Sequence, residues 1–281
     1  MRALANPGPE GPSGALQVVE AVVPRAGPGQ VLVRVAAAHL PLGSAPPAGI
    51  PGEEFAGVVV QLGPGSYGLE VGDEVLGHCQ SGACAEYAAA DADRVAARPP
   101  ELPWAEAALL PLTAAGVQAA LDGLRVRRGS TLLVHGTAGP AGRAAVALAR
   151  WRGAAVVAVA AERDHSLLRG LGAVPVGYGA QLAERVADAA PQGVDAVLDA
   201  VGRAAAPVWA ELAGGPERVA GLGSAAGGRS RGEAESAEIA GLVELWQAGA
   251  FRLAPDEVLP LERAAAPGPG PGRLVVVEPW A

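Results

Sequence analysis

The sequence predicts an α/β protein with a small antiparallel β-barrel followed by a doubly wound parallel sheet. The first hundred residues contain short apolar strands separated by turns rich in glycine and proline, which is typical of a small barrel. Further along, continuous apolar runs alternate with alanine-rich segments, which indicates parallel strands covered by helices on both faces. With 281 residues, the chain is long enough for two ordinary domains.

The barrel strands are predicted at 30–35, 55–60, 73–76 and 83–88. From about residue 103 the sequence becomes alanine-rich and is predicted to be helical over 104–121. We therefore place a domain boundary here. Residues 1–105 together with 255–281 are expected to form the first domain, and residues 106–254 the second.

The second domain is predicted to alternate strands with helices. Its strands are expected at 132–134, 154–160, 196–201 and 218–222, and its helices at 165–170, 182–190, 205–213 and 237–249. A last strand at 273–278 is expected to return to the first domain.

The glycine-rich turn that follows residues 132–134 is the strongest functional signal. It lies between an apolar strand and an alanine-rich helix, which is the order found in a nucleotide-binding turn. Glycines let the backbone approach a pyrophosphate closely, and the N-terminus of the next helix favours its charge. The same pattern also fits a strand-to-helix turn without a ligand. The candidate cofactor-binding residues of this turn are His135, Gly136, Thr137, Ala138, Gly139, Pro140, Ala141 and Gly142.

Composition and charge narrow the classes of function. The formal net charge of −8 argues against nonspecific nucleic-acid binding, which needs a basic surface. No stretch resembles a membrane span or the apolar core of a signal peptide, so we expect a cytoplasmic protein without a membrane partner. All 21 cationic side chains are arginines, which excludes lysine chemistry.

Cys79 and Cys84 lack further nearby ligands for a structural zinc; a redox or metal role for the pair is the alternative.

Ordered sequence landmarks extend along nearly the whole chain. They are Pro51-Gly52-Glu53-Glu54-Phe55-Ala56-Gly57, Val71-Gly72-Asp73-Glu74-Val75, Ala85-Glu86-Tyr87, the turn at 134–142, Leu171-Gly172-Ala173 and residues 194–202. Together they resemble the medium-chain dehydrogenase/reductase superfamily, and within it the zinc-free quinone oxidoreductase and enoyl reductase branch. The resemblance implies a GroES-like β-barrel domain, a Rossmann dinucleotide-binding domain and a homodimer.

The resemblance also implies that the chain uses no zinc. Zinc-dependent relatives have ligands at about the positions of Leu40, Glu53 and Leu112. Leucine cannot ligate a metal, and Glu53 alone would be a single carboxylate. The clustered cysteines that hold structural zinc in those relatives are missing as well.

The loop after the second nucleotide strand bears on the choice of cofactor. NAD sites place an acidic residue at that strand end, whereas the 2′-phosphate of NADP needs cations. Here the strand ends in alanine and Arg163 follows, flanked by two acidic residues. We predict NADPH rather than NADH, with Arg163 as a phosphate ligand and a surface salt bridge as its alternative role. By resemblance, Tyr178 is an adenine-side contact, Val201 also contacts the cofactor, and His135 packs against it or contacts its nicotinamide side.

The catalytic loop departs from the family pattern. Zinc-free relatives commonly have an Asn and an Asp or Tyr where this chain has Leu40 and Gly43, and their nicotinamide-side Thr maps to Gly116. The remaining polar candidates for a proton donor are His39, His78, Thr113 and Cys79. In the alternative interpretation, His39 is an exposed loop residue and His78 caps a turn.

Two classes of function follow. The first is an NADPH-dependent oxidoreductase that reduces a conjugated carbon–carbon double bond or a quinone of a small hydrophobic molecule, as in secondary metabolism. The second is a repurposed relative with little redox activity, which binds a metabolite or catalyses a non-redox step such as a cyclisation or rearrangement. The predicted substrate contacts are Leu40, Leu42, Cys79 and Leu112.

Overall fold

A computed structural model describes residues 1–6, 16–41, 49–137, 139–201, 207–222, 234–265 and 275–280. The chain divides into two compact units. The first comprises Met1–Leu112, Gly232–Glu244 and Leu253–Ala281, and the second comprises Thr113–Arg231 and Leu245–Arg252. Within the described part of the chain, none of the helices combines the length and the apolar character that a membrane span requires.

The first unit consists mainly of antiparallel strands. Its strands are β1 (Arg2–Ala5), β2 (Gln17–Glu20), β3 (Gln30–Leu40), β4 (Glu54–Leu62), β5 (Glu74–His78), β6 (Tyr87–Asp91) and β7 (Val95–Ala97), with β13 (Glu257–Pro260) and β14 (Val275–Glu278) near the C-terminus. Strands β1 and β2 pair with each other, and the larger sheet has the order β13-β14-β3-β4-β5-β7, with β6 also paired to β3. As expected, the last strand β14 returns to this unit, where it pairs antiparallel with β3.

The second unit contains a five-stranded parallel sheet, which confirms the predicted fold class. Its strands are β8 (Thr131–His135), β9 (Ala155–Val159), β10 (Val174–Val176), β11 (Ala196–Asp199) and β12 (Val219–Gly221), in the order β10-β9-β8-β11-β12. The strands are almost wholly apolar because both faces of a parallel sheet are covered. Strands β9 and β10 therefore lie on one side of β8, and strands β11 and β12, which come later in the chain, lie on its other side.

Helices lie between these strands. They are α3 (Pro140–Trp151), α4 (His165–Gly170), α5 (Leu182–Ala189) and α6 (Pro207–Ala213), and α7 (Ser236–Gln247) follows after β12. Helix α3 contacts β8 and β9 through small residues such as Ala141, Gly142, Ala144 and Ala145, all of them buried. The predicted helices at 165–170, 182–190 and 237–249 are confirmed to within two residues at each end. The predicted helix at 205–213 begins in a segment that lies outside the described residues.

The helical region predicted over 104–121 consists of two helices, α1 (Trp104–Ala107) and α2 (Thr113–Gly123), separated by a buried turn that the sequence did not reveal. Proline disfavours helical geometry in the residue before it and has no backbone N–H to donate, so the helix ends before Pro111. A short helix α8 (Leu261–Ala264) precedes the last strand.

Several strands of the first unit were not predicted or begin elsewhere. Strands β1, β2, β7 and β13 are short, with three or four residues each, which leaves little alternation to detect. The strand predicted over 83–88 starts only at Tyr87, because the preceding residues form backbone hydrogen bonds to several separate segments.

Candidate functional site

The glycine turn joins the carboxyl end of β8 to the start of α3. His135 is the last residue of the strand, and Gly136 has a φ of 79°, a conformation that favours glycine. Gly139 is the residue that precedes the helix and Pro140 is its first residue, a position that proline tolerates well. The predicted site residue Ala138 lies outside the described residues. The strand, turn and helix therefore occur in the order that the sequence predicted.

The three glycines of the turn have different surroundings. A Cβ on Gly142 would lie 2.5 Å from Thr137 Cα, and one on Gly136 would lie 2.5 Å from Val201 Cγ2, so the fold itself requires both glycines. A Cβ on Gly139 would meet only Gly136 O, at 3.8 Å, and the φ of Gly139 is an ordinary −82°. The described residues thus leave open space at Gly139, beside the N-terminus of a twelve-residue helix. This cradle fits the pyrophosphate of a dinucleotide.

Helix α3 offers backbone donors at this cradle. The first hydrogen bond onto Gly139 O comes from Arg143 N, at 3.1 Å. Ala141 and Gly142 therefore lie in the first turn, where helix N–H groups have no partner within the helix. Pro140 supplies no N–H, so one donor fewer is available than in a turn with glycine at that position.

His135 and Asp199 pair at the point where the sheet reverses its strand order. They end the neighbouring strands β8 and β11, and His135 Nδ1 donates to Asp199 Oδ1 at 2.8 Å. The same oxygen accepts from Val201 N at 3.0 Å, and Asp199 is fully buried. Ligands of parallel sheets bind at this switch point. The imidazole of His135 also packs against Trp209, with ring centroids 4.8 Å apart.

Tyr178 contacts the last residues of the two neighbouring strands β8 and β9. Its hydroxyl donates to Val159 O at 3.3 Å, and its ring meets that of His135 edge to face at 5.9 Å. Burial, together with the charges of Asp164 and Asp199, raises the pKa of Tyr178, so the phenol stays protonated at neutral pH. Thr137 is buried and donates from its hydroxyl to the same Val159 carbonyl at 3.2 Å. These contacts place the predicted residues His135, Thr137 and Tyr178 together at the carboxyl ends of the parallel strands.

Arg163 lies in a short turn of 3₁₀ helix between β9 and α4. Its side chain is 81% exposed, and its nearest acidic partner is Asp164, at 3.8 Å. In the nearby open cavity of about 530 Å³, Arg185 donates instead to the carbonyls of Gly177 and Tyr178. Arg163 is therefore free to reorient towards an anion, whereas Arg185 is held by the backbone.

In the first unit, His39 forms a cluster with a buried carboxylate that we did not predict. His39 Nδ1 donates to Glu54 Oε2 at 3.0 Å, and Leu112 N donates to Glu54 Oε1 at 2.8 Å. Glu54 is only 4% exposed. Leu112 has its N–H available for this bond because it lies between the end of α1 at Ala107 and the start of α2 at Thr113. His39 lies on strand β3 rather than in a loop, so its alternative interpretation is wrong.

The other predicted proton donors of this unit have different surroundings. His78 is fully buried at the end of β5, its Nε2 donates to Ala234 O at 2.7 Å, and burial lowers its pKa. Burial raises the pKa of Cys79 to about 12, and that of Cys84 still further. Both cysteines are free thiols. Thr113 begins helix α2 and is partly buried.

Leu40 and Leu112, two of the predicted substrate contacts, are almost fully buried. Leu42, another, lies outside the described residues. No group of three or more His, Cys, Asp or Glu side chains that could hold a metal ion occurs among the residues that the structure describes.

Glu54 and Asp199 are the two site residues that sequence reasoning missed. Both stand inside landmarks of the resemblance, at the start of β4 and at the end of β11. A carboxylate at the end of an otherwise apolar strand is a signal for a buried acid with a dedicated partner. The partners themselves come from distant parts of the chain, 15 residues from Glu54 and 64 residues from Asp199.

Comparisons with known proteins agree with this architecture. The family model for the alcohol dehydrogenase GroES-like domain matches residues 27–100. The chain is 40% identical over 160 residues to a mycocerosic acid synthase-like polyketide synthase of Mycobacterium tuberculosis. The match covers 55% of this chain but only 8% of that relative, so the chain spans a small part of the relative's length.

Three solved structures share the fold along the chain. A 2-haloacrylate reductase is 25% identical, with a TM-score of 0.79 and full coverage of both chains. A cobalt- and zinc-bound alcohol dehydrogenase of Pyrobaculum aerophilum is 27% identical, and a quinone oxidoreductase of Coxiella burnetii is 23% identical. Each of these two has a TM-score of 0.78 and covers 99% of both chains. The first unit thus contains a GroES-like domain, and the chain has the fold that these dehydrogenases and reductases share.

Proposed function

Because the chain belongs to the medium-chain dehydrogenase/reductase superfamily, whose fold implies a nicotinamide cofactor, we propose that it reduces conjugated carbon–carbon double bonds with NADPH and without zinc. The substrate class is a hydrophobic enone, quinone or enoyl thioester.

The cradle at the start of α3 carries this proposal. Gly136 and Gly142 are needed by the fold, but Gly139 leaves space that a pyrophosphate would use. The backbone N–H groups of Ala141 and Gly142 would bind the phosphates, and Arg163 would bind a 2′-phosphate. The bound nicotinamide would supply a hydride, while the protein supplies position and electrostatics.

The substrate class is supported by chemistry and by the relatives. One relative is a polyketide synthase, and one structural neighbour is a reductase of 2-haloacrylate, whose double bond is conjugated to a carboxyl group. Both facts favour a substrate whose double bond is conjugated to a carbonyl. Zinc independence is supported by the side chains of Leu40 and Leu112, which have no donor atoms at positions where zinc-dependent relatives have ligands.

Cofactor binding by the Gly139→Val variant tests the proposal. NADPH is titrated into the protein and the enhancement of its fluorescence is followed. A Cβ at residue 139 would lie no closer than 3.8 Å to any other atom of the described residues, and the larger valine side chain is expected to occupy the cradle. We expect the Kd for NADPH to rise at least about tenfold, which corresponds to about 1.4 kcal/mol.

Gly170→Val is the matched control. Gly170 lies in the same unit and is exposed, and a Cβ added to it would have no neighbour within 4 Å in the part of the chain that the structure describes. This variant should bind NADPH as the parent protein does. Failure of the parent protein to bind NADPH at millimolar concentration would contradict the reductase proposal and favour the repurposed, non-redox relative.

A further inference from the structure

We propose that His39 donates the proton that completes the reduction, and that Glu54 is the positioning residue that orients His39. This inference rests on the proposed function and adds the proton donor to it. Hydride addition to a conjugated double bond leaves an enolate, which needs a proton at its α carbon. A general acid at that position typically contributes about 10²–10⁴-fold to the rate.

Glu54 holds His39 in one orientation and one tautomer. Its carboxylate is itself fixed by Leu112 N at 2.8 Å, so it is not free to follow a moving imidazole. Since Oε2 accepts from Nδ1 at 3.0 Å, the Nδ1 proton stays on that nitrogen, and Nε2 becomes the atom that gains or loses a proton. When both nitrogens carry protons, the buried carboxylate balances the charge of the imidazolium.

The second nitrogen of His39 would deliver the proton. The His39 side chain is 15% exposed, and its Nε2 has no hydrogen-bond partner among the described residues. The other three candidates are less suited. His78 is fully buried and donates from Nε2 to a backbone carbonyl, Cys79 has a pKa near 12, and the Thr113 hydroxyl is a much weaker acid than an imidazolium.

For an enoyl thioester, reduction forms two C–H bonds in turn. The hydride forms a C–H bond at the β carbon, and the π electrons move onto the carbonyl oxygen to give the enolate. As the enolate collapses, a C–H bond forms at the α carbon and the Nε2–H bond of the imidazolium breaks. Its electron pair stays on Nε2, so His39 is left neutral and takes a new proton from water. The net reaction consumes one hydride and one solvent proton.

Nitrogen NMR of the histidine side chains tests the geometry in the free protein. The chain has four histidines, so His→Gln variants can assign each signal. We expect neutral His39 to carry its proton on Nδ1 in the parent protein and to show a mixture of tautomers in Glu54→Gln. Glu86→Gln is the matched control, because Glu86 is also a buried carboxylate of the first unit but pairs with Arg2. It should leave the His39 signals unchanged.

The configuration of the product tests the chemistry. The substrate is an α-methyl enoyl thioester of N-acetylcysteamine, and the α carbon of the reduced product is analysed. The parent protein and Glu86→Gln should give one configuration. His39→Gln should lower kcat by about 10²-fold or more, and Glu54→Gln by at least about tenfold. In both variants water would protonate the enolate from either face and give mixed configurations, while the Kd for NADPH stays within about twofold.

The outcomes separate this inference from the proposed function. If the parent protein reduces the thioester but His39→Gln keeps its kcat and its product configuration, the reductase stands and His39 is not the donor. If Glu54→Gln leaves the tautomer of His39 unchanged, Glu54 is not the positioning residue. If the parent protein reduces no conjugated substrate, both the proposed function and the inference are overturned.

Discussion

Two imidazoles in this chain have the same arrangement, one in each unit. In each, Nδ1 donates to a buried carboxylate that also accepts a backbone N–H: His39 to Glu54 with Leu112 N, and His135 to Asp199 with Val201 N. A buried carboxylate is costly unless it is hydrogen-bonded, and two donors at each acid reduce that cost. The pairs therefore give both rings a fixed orientation.

Arg163 is the residue on which the choice of cofactor is predicted to depend. Its guanidinium is exposed and only loosely paired with Asp164, so it can bind a phosphate without breaking a strong contact. We expect Arg163→Gln to raise the Kd for NADPH about three- to tenfold and to leave the Kd for NADH unchanged. Fluorescence titration with both cofactors measures the ratio. An equal change for the two cofactors would show that Arg163 does not recognise the 2′-phosphate.

Glu86 is predicted to make stability depend on pH. Burial tends to raise the pKa of Glu86, but hydrogen bonds from Arg2 outweigh burial and lower it. A carboxylate with a lower pKa in the folded state stabilises the fold above its unfolded-state pKa, and this contribution disappears as pH falls through the folded-state value. Glu86→Gln should therefore lose about 1–3 kcal/mol of unfolding free energy at pH 7 and progressively less below about pH 4.

Urea denaturation of the parent protein and of Glu86→Gln at both pH values measures this difference. A gap in unfolding free energy that stays constant from about pH 7 to about pH 3.5 would mean that the charge on Glu86 does not contribute.

At the scale of elements, the sequence predicted the strand, glycine turn and helix at 132–150 because their order follows from local composition. Apolar β8 and alanine-rich α3 each have a clear pattern. The sequence does not reveal the break between α1 and α2, because alanine has a high helix propensity and is frequent on both sides of Pro111. A single proline is a weaker local signal than these alanines. That break frees Leu112 N for Glu54, so the missed element boundary and the missed site residue have one cause.

The packing of α3 against the turn should be sensitive to a single methyl group. Gly142→Ala would place a Cβ against the backbone of Gly136 and Thr137, which cannot move aside as a side chain would. We expect a loss of about 1–3 kcal/mol in unfolding free energy. Gly170→Ala, where a Cβ meets open space, should be neutral or slightly stabilising. Chemical denaturation measures both, and equal stabilities would contradict the close approach of α3 to the turn.

For the whole molecule, the pattern of sequence landmarks predicted the superfamily, whereas the pairs that orient His39 and His135 are long-range contacts that no local pattern encodes. The expected homodimer and the cytoplasmic location remain predictions. The substrate depends on a further fact, since the chain matches only 8% of the length of its polyketide synthase relative. A small thioester analogue is therefore a better first substrate than any complete product of such a synthase.

Hydride transfer from a nicotinamide to a conjugated double bond is the reaction that we propose for this chain. Its most direct test uses NADPH carrying deuterium at C4, in each of the two configurations in turn, with a panel of enoyl thioesters, enones and quinones. We expect one of the two labelled cofactors to place deuterium on the β carbon of a reduced thioester or enone, as seen by mass spectrometry and NMR. Reduced products that are unlabelled with either cofactor, or no reduced product from any member of the panel, would contradict it.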